Sequence, residues 1–273
     1  MKCVYWNARG LANAPTRLVL KRMIREYSPD FCFLAEPWLL VNSFPKSWFN
    51  RLNLKIFVVN NRGTNDPNLW CVCQKQYDPA VVLVDEQHIT FTVNDNGTDI
   101  GFSMIYASTN YIKRRRLWQA LSSVQNSFSM PWSYIEDFNT ICGAHEYRGN
   151  FLPAKLPMDE FLHWSDTNNL VHLPTRGSDY TWSNGRYGAY HTEKRLDRVI
   201  TNQNMINICS SISCSTLTRI RSDHFPLLLE IKLHNIRYIS NFKFLKMWSY
   251  HSDCSNFINS VWNKQVFGSP CRY

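Results

Sequence analysis

Polar and acidic side chains stand at the ends of short apolar runs along this sequence. Asn7 follows Tyr5-Trp6, and Glu36 follows Phe33-Leu34-Ala35. Asp137 and Asn139 follow Tyr134-Ile135. Asp197 lies inside Arg195-Leu196-Asp197-Arg198-Val199-Ile200, and Asp223-His224 precedes a strongly apolar stretch. Singly, each has a structural reading. Asn7 could be a turn residue, Glu36 a charge at a helix N-terminus before Pro37, and Asp197 an ordinary ion-pair partner of Arg195 or Arg198. As a set they offer carboxylates, amides and one His. Phosphodiester hydrolysis calls for such a set: oxygen ligands for a hard cation, a group to orient or deprotonate water, and charge against the transition state. A His in that setting needs a carboxylate to fix its tautomer and support its charge.

These residues need strands to deliver them. The run 3–6 is apolar and β-type. Asn13 then caps a helix with Pro15 in its first turn. Leu20, Met23, Ile24 and Tyr27 fall at i, i+3, i+4, i+7 and make one buried face, while Arg17, Lys21, Arg22 and Arg25 make the others basic. Phe31–Ala35 is a second buried strand, so the first 36 residues read as a βαβ unit. Short β-type runs follow at 56–59, 69–73, 80–84, 89–93 and 101–106, separated by Asn and Gly turns. Leu117, Ala120, Leu121, Val124 and Phe128 give a second helix its face. Residues 132–135 form the next strand and 158–167 a further helix. Late strands are expected at 180–182, 195–200, 212–216 and 225–231. This mixture predicts an α/β sandwich with two sheets and helices outside. Residues 1–236 read as that domain and 237–273 as a connector, in which Phe242, Phe244, Leu245, Met247 and Trp248 are too apolar for a free tail.

The formal charge of +9 favours a polyanionic partner. The cysteines lack zinc-knuckle spacing, and several sit in apolar runs, which reads as reduced, buried thiols in an intracellular protein. No basic segment followed by an apolar stretch opens the chain, and the apolar run Ala80–Val84 is far too short to span a bilayer. Lys113-Arg114-Arg115-Arg116 begins the second helix, either as a phosphate-contacting patch or as a solvated helix start. His145, His163, His172, His191 and His251 lack metal-ligand spacing.

Ordered blocks along the chain carry a resemblance. They are Trp6-Asn7, Leu34-Ala35-Glu36, Ile105-Tyr106-Ala107-Ser108, Asp137-Phe138-Asn139, Tyr180-Thr181-Trp182, Arg195-Leu196-Asp197-Arg198 and Ser222-Asp223-His224-Phe225-Pro226. In these the chain resembles the endonuclease/exonuclease/phosphatase superfamily, which includes DNase I. Trp6-Asn7-Ala8-Arg9-Gly10-Leu11, Ala35-Glu36-Pro37-Trp38 and Lys246-Met247-Trp248 look like the N-terminal endonuclease of plant non-LTR (LINE-type) retrotransposons.

The resemblance implies a four-layered α/β/β/α sandwich with two mixed sheets, DNase I-like. It implies a monomeric, Mg2+-dependent DNA-nicking endonuclease, with Mn2+ as a substitute, acting in the nucleus to prime reverse transcription. Glu36 would be the main metal ligand, with Asn7 close by and Asp223 as a second carboxylate. Asp137 would position or deprotonate water, Asn139 would hold a phosphate oxygen, and Tyr106 would support the phosphate or leaving oxygen. His224 would contact the scissile phosphate, oriented by Asp197. Arg9, Thr181 and Trp182 would face nucleic acid, and the basic-patch reading of the second helix adds Lys113, Arg114 and Arg115. Glu136 stands where most relatives have Gly before the Asp-Phe-Asn block, and no polymerase block is present. Two alternatives follow: a decayed remnant that only binds nucleic acid, and a phosphatase of another phosphoester on the same fold.

Overall fold

Strand β1 (Lys2–Asn7) is buried on both faces: Cys3 and Tyr5 enter one apolar cluster, Val4 and Trp6 another. Its neighbour β2 (Phe31–Ala35) divides the same way, with Phe31 and Phe33 on one side and Cys32 and Leu34 on the other. Period-two alternation between two apolar faces puts a strand between two layers. Helix α1 (Ala14–Tyr27) covers one layer. The Asn13 side chain accepts from the Thr16 N–H at 2.8 Å, and left-handed Ser28 ends the helix. Val19, Leu20, Met23 and Ile24 form its buried face. β1 and β2 are parallel, Cys3 opposite Phe31, so the expected βαβ unit is present.

The computed structural model describes residues 1–234 and 250–263, the side chains of Lys46 and Glu136 excepted. The chain divides into two units, 1–234 and 235–273. In the first unit, one sheet has seven strands. Their order is β11 (Thr175–Arg176), β15 (Cys209–Thr216), β16 (Leu227–Leu233), β1, β2, β4 (Leu69–Gln74) and β3 (Leu54–Val59). The six strands of the second run β10 (Leu170–His172), β14 (Asp197–Asn202), β8 (Trp132–Asp137), β7 (Thr98–Tyr106), β6 (His88–Asp95) and β5 (Ala80–Val84). Both sheets mix parallel and antiparallel pairs. A small third sheet joins β12 (Trp182–Ser183), β13 (Glu193–Lys194) and β9 (Tyr147–Arg148).

The inner faces of the two large sheets meet through aromatic rings, with Phe31–Phe91 centroids 5.7 Å apart and Phe91–Phe102 centroids 5.6 Å apart. All three rings are fully buried. Each contributes roughly 1.5–3 kcal/mol relative to exposure, which clamps the sheets face to face. Outside the first sheet, α1 and α2 (Lys46–Asn50) pack through Leu20 and Phe49 onto Trp6, Leu34 and Trp70. Outside the second, α3 (Tyr111–Ser127) and α4 (Lys155–Thr167) pack through Leu117, Trp118 and Phe161 onto Trp132 and Tyr134. α5 (Gln203–Ile208) follows β14. The order is helices, sheet, sheet, helices, the expected sandwich. Cys3, Cys32, Cys71 and Cys73 serve as small apolar core residues.

Three strands, β12, β14 and β16, each begin two residues later than their apolar runs predict. The backbone N–H groups of Leu196 and Asp197 both donate to Thr181 Oγ1, so the ladder of β14 opens at Asp197. Phe225 and Pro226 bond to Thr181 and Leu217 in the flanking loops, which delays β16 to Leu227. α4 starts at Lys155, ahead of 158, because Pro157 is tolerated within a first helical turn. In the second unit, α6 (Ser252–Trp262) is a helix capped by His251, inside the segment read as a connector. Phe242, Phe244, Leu245, Met247 and Trp248 lie outside the described residues.

Gly101 lies opposite Trp132 across β7 and β8, and a Cβ there would stand 2.0 Å from the indole. Trp132 is buried and donates to Ser103 Oγ at 3.0 Å, so it has nowhere to move. Gly101→Ala is expected to destabilise the domain by roughly 1–3 kcal/mol, read as a lowered urea midpoint. An unchanged midpoint would contradict this packing.

Candidate active site

The polar residues continue the strand faces that form the inter-sheet core. Along β1 the inward positions run Cys3, Tyr5, Asn7; along β7 Phe102, Met104, Tyr106; along β8 Ile135, Asp137; and along β14 Val199, Asp197. The apolar layer thus gives way to amide, phenol and carboxylates at one edge. Glu36 lies one residue past β2 and joins them through a left-handed turn, φ 48°. Glu36 Oε1 accepts from Asn7 Nδ2 at 3.1 Å and from the Tyr106 hydroxyl, so this carboxylate ties the first sheet to the second. A cavity of about 300 Å³ opens here, lined by Glu36, Tyr106, Asp137, Asn139 and His224, with Arg9, Trp182 and Lys194 on its walls.

His224 reaches the cavity from the loop before β16. Its backbone N–H donates to Ser222 Oγ at 3.1 Å, and Ser222 Oγ donates to the Asn7 carbonyl at 2.7 Å. His224 Nδ1 lies 2.9 Å from Asp197 Oδ2, and Nε2 lies 3.8 Å from Asp137 Oδ2. Burial pulls the His224 pKa down, but Asp197 and then Asp137 and Asp223 outweigh it and lift it to about 9. Burial raises Asp137 to about 7, against the lowering pull of His224, with Asp197 and Glu36 adding repulsion. Asp137 Oδ1 accepts the Asn139 N–H at 2.8 Å, and Asn139, left-handed at φ 49°, donates its side-chain amide to the Ala107 carbonyl at 2.7 Å.

The donor set suits a hard cation at Glu36. Asn7 Oδ1 is buried without a hydrogen-bond partner, an orphaned acceptor on the amide whose nitrogen holds Glu36. An orphaned oxygen beside a buried carboxylate is the donor chemistry that magnesium takes. Asp137, Asp197 and His224 also bring ligand atoms within 4.8 Å of one another. That trio is already committed to protons: Asp197 faces Nδ1 with both oxygens, and the imidazole is held charged. Either set could hold a cation, and Asn7–Glu36 is the one that offers an acceptor oxygen left over on its amide.

The other expected residues divide. Arg9 pairs with Glu36 Oε2 at 3.4 Å and Asp223 Oδ1 at 3.2 Å, over the Trp38 ring. Asp223, expected as a metal carboxylate, is instead engaged by Arg9 and by Trp182 Nε1 at 2.9 Å. Thr181, expected to line a groove, is fully buried and spends its hydroxyl on the Asp197 and Leu196 amides. Arg114 is buried and donates to the Ser108 and Thr109 carbonyls, and Arg115 pairs with Glu160 at 2.6 Å. Local oxygens thus engage both, and Arg115 stays half-exposed. Lys113 lines a separate cavity with Arg62 and Gln87, and Trp182 lines the one that holds Glu36 and His224. The Glu136 backbone pairs with Arg198 and Ile105, and its side chain lies outside the described ones. Lys194 was not anticipated: its place beside Trp182 depends on the β12–β13 pairing, which dipeptide-length strands do not announce.

No protein-family model matches the sequence, and neither does any curated protein. Solved structures match. The endonuclease domain of TRAS1, a telomere-specific non-LTR retrotransposon, superposes with TM-score 0.67 at 12% identity, covering 85% of this chain and 99% of that one. The 3′ phosphatase NExo from Neisseria, bound to a product DNA hairpin, gives 0.63 at 17%, covering 85% and 99%. An endonuclease/exonuclease/phosphatase family protein from Leptotrichia buccalis gives 0.57 at 16%, covering 85% and 100%. The chain therefore has the DNase I-like fold of the endonuclease/exonuclease/phosphatase proteins.

The raised pKa of His224 contributes stability that is complete below its ordinary 6.5 and lost as pH rises through about 9. Asp137, also raised, acts in the same sense between its ordinary 3.8 and about 7. In Asp197→Asn, burial is opposed by one carboxylate fewer. The His224 imidazole, followed by NMR titration, is expected to fall from about 9 toward its ordinary value. A titration still centred near 9 would remove Asp197 as its support.

Proposed function

We propose that this chain is a divalent-cation-dependent phosphodiesterase that nicks one strand of DNA. The observation that carries this reading is one cavity lined by Glu36, Asp137 and His224, with Asn7 bonded to Glu36 and Asp197 bonded to His224 behind them. The charge of +9 favours a nucleic-acid substrate. Among fold neighbours, one holds product DNA and another comes from a retrotransposon that is telomere-specific. A role in exposing a primer end for reverse transcription, in the nucleus, fits that company. Among the described residues no helix is long and apolar enough to cross a membrane.

The chain's own groups divide the work. Asp137 takes the proton of the attacking water through Oδ2, since the Asn139 backbone N–H holds Oδ1 in place; as the water oxygen bonds to phosphorus the P–O3′ bond breaks, and the leaving oxygen takes a proton from solvent to give the 3′-hydroxyl. His224, charged against Asp197, faces a non-bridging oxygen of the scissile phosphate from Nε2. Asn139 has a second amide hydrogen beyond the one given to Ala107, which serves a phosphate oxygen. The Tyr106 hydroxyl, its pKa pushed up by burial and by Glu36, stays protonated and keeps Glu36 aimed into the cavity. Glu36 and Asn7 Oδ1 would hold Mg2+, or Mn2+, which supplies positive charge against the phosphate when bound.

With Mg2+, wild type is expected to convert supercoiled plasmid to nicked circles. Asp137→Asn should slow this by roughly 10²–10⁴-fold, and Glu36→Ala should abolish it. Equal nicking by the Glu36 variant would refute the assignment. Release of phosphate from a small phosphomonoester with no plasmid nicking would favour a phosphatase instead. The rate should rise with Asp137 ionisation, on a limb no higher than about 7, and fall as His224 loses its proton near 9.

A further inference from the structure

Lys194 is the cationic group in the catalytic cavity that this scheme leaves unused. β13 places it between Trp182 of β12 and Tyr147 of β9. Its Nζ stands 5.6 Å from the Trp182 ring centroid and 5.8 Å from that of Tyr147. The side chain is half-buried and pairs with no carboxylate among the described residues; burial alone lowers its pKa. Arg9, the other cation on this wall, is already engaged by Glu36 and Asp223. Two aromatic faces offset part of the desolvation of an ammonium, and they leave its hydrogen-bond donors open to an anion that enters the cavity.

The position of Lys194 says which anion would fill them. It lines the catalytic cavity and also a second cavity of about 290 Å³, and the two share Asn139, Lys194 and Leu196. The second holds Tyr147, Pro153 and Met158. The ammonium therefore stands where the two cavities adjoin, in the lining they share with Asn139, while Glu36 lines the first alone. We propose that Lys194, carried on the Trp182 and Tyr147 rings, binds the backbone phosphate adjacent to the scissile one and so sets the register of the strand. This rests on the phosphodiesterase reading, and it makes the substrate a polynucleotide rather than an isolated phosphomonoester.

The test combines Lys194→Met and Lys194→Arg with duplexes in which one backbone phosphate is replaced by a neutral methylphosphonate, walked past the cleavage position. Affinity is measured in an Asp137→Asn background, so that the scan reads binding whether or not wild type cuts. Lys194→Met should weaken binding about tenfold, lower the salt slope by about 0.9 and raise KM with little change in kcat. At one position flanking the cut, the methylphosphonate should weaken the Lys194 protein but not the Met variant. Lys194→Arg should restore both affinity and slope. Equal methylphosphonate penalties in both proteins at every position, or an unchanged salt slope, would overturn the proposal. Binding with the expected position dependence but no nicking by wild type would sustain Lys194 and sink the hydrolase reading.

Discussion

Three buried carboxylates gather at one cavity: Glu36 and Asp137 line it and Asp197 stands behind His224, and the repulsion of Asp197 and Glu36 on Asp137 sets what must surround them. Each receives its own donors. Glu36 has the Asn7 amide, the Tyr106 hydroxyl and Arg9. Asp137 has the Asn139 amide and faces His224 Nε2. Asp197 has His224 Nδ1. An unpaired buried charge costs on the order of several kcal/mol after relaxation, so the site survives only if every donor is held in place. The donors come from both sheets and from the loops between them. That requirement binds the geometry of the site to the inter-sheet core.

The core meets it through alternation. Tyr5 and Asn7, Met104 and Tyr106, Ile135 and Asp137 share strand faces, so the packing that aligns the apolar member also aims the polar one. The third sheet adds a second constraint. Thr181 holds the Asp197 amide while Trp182 holds Asp223 and backs Lys194. Movement of this small sheet would disturb the proton network and the cation wall together.

Much of this architecture is legible in the amino-acid sequence. Helix α1, with its Asn13 cap and Pro15, and the buried strand β2 follow from spacing alone. The polar residues at strand ends name most of the site. What spacing does not reveal is how side chains are spent. The basic run at α3 is uniform in sequence, yet Arg114 turns inward to loop carbonyls and Arg115 to Glu160, because those oxygens arrive from segments distant in the chain or folded back on the helix start. Thr181 and Lys194 depend on hairpin pairing by strands of two residues, too short to carry a periodic signal. Arg9 could not be placed between Glu36 and Asp223 without the third dimension.

The central claim is that cation binding belongs to Asn7–Glu36 and proton handling to Asp137–His224–Asp197. Calorimetric titration with Mn2+ of wild type, Glu36→Ala and Asp197→Asn separates them. Saturable binding, with a matching rise in thermal stability, is expected in wild type and in Asp197→Asn and should be absent from Glu36→Ala. Binding that survives in Glu36→Ala and disappears in Asp197→Asn would contradict the assignment and place the metal among Asp137, Asp197 and His224.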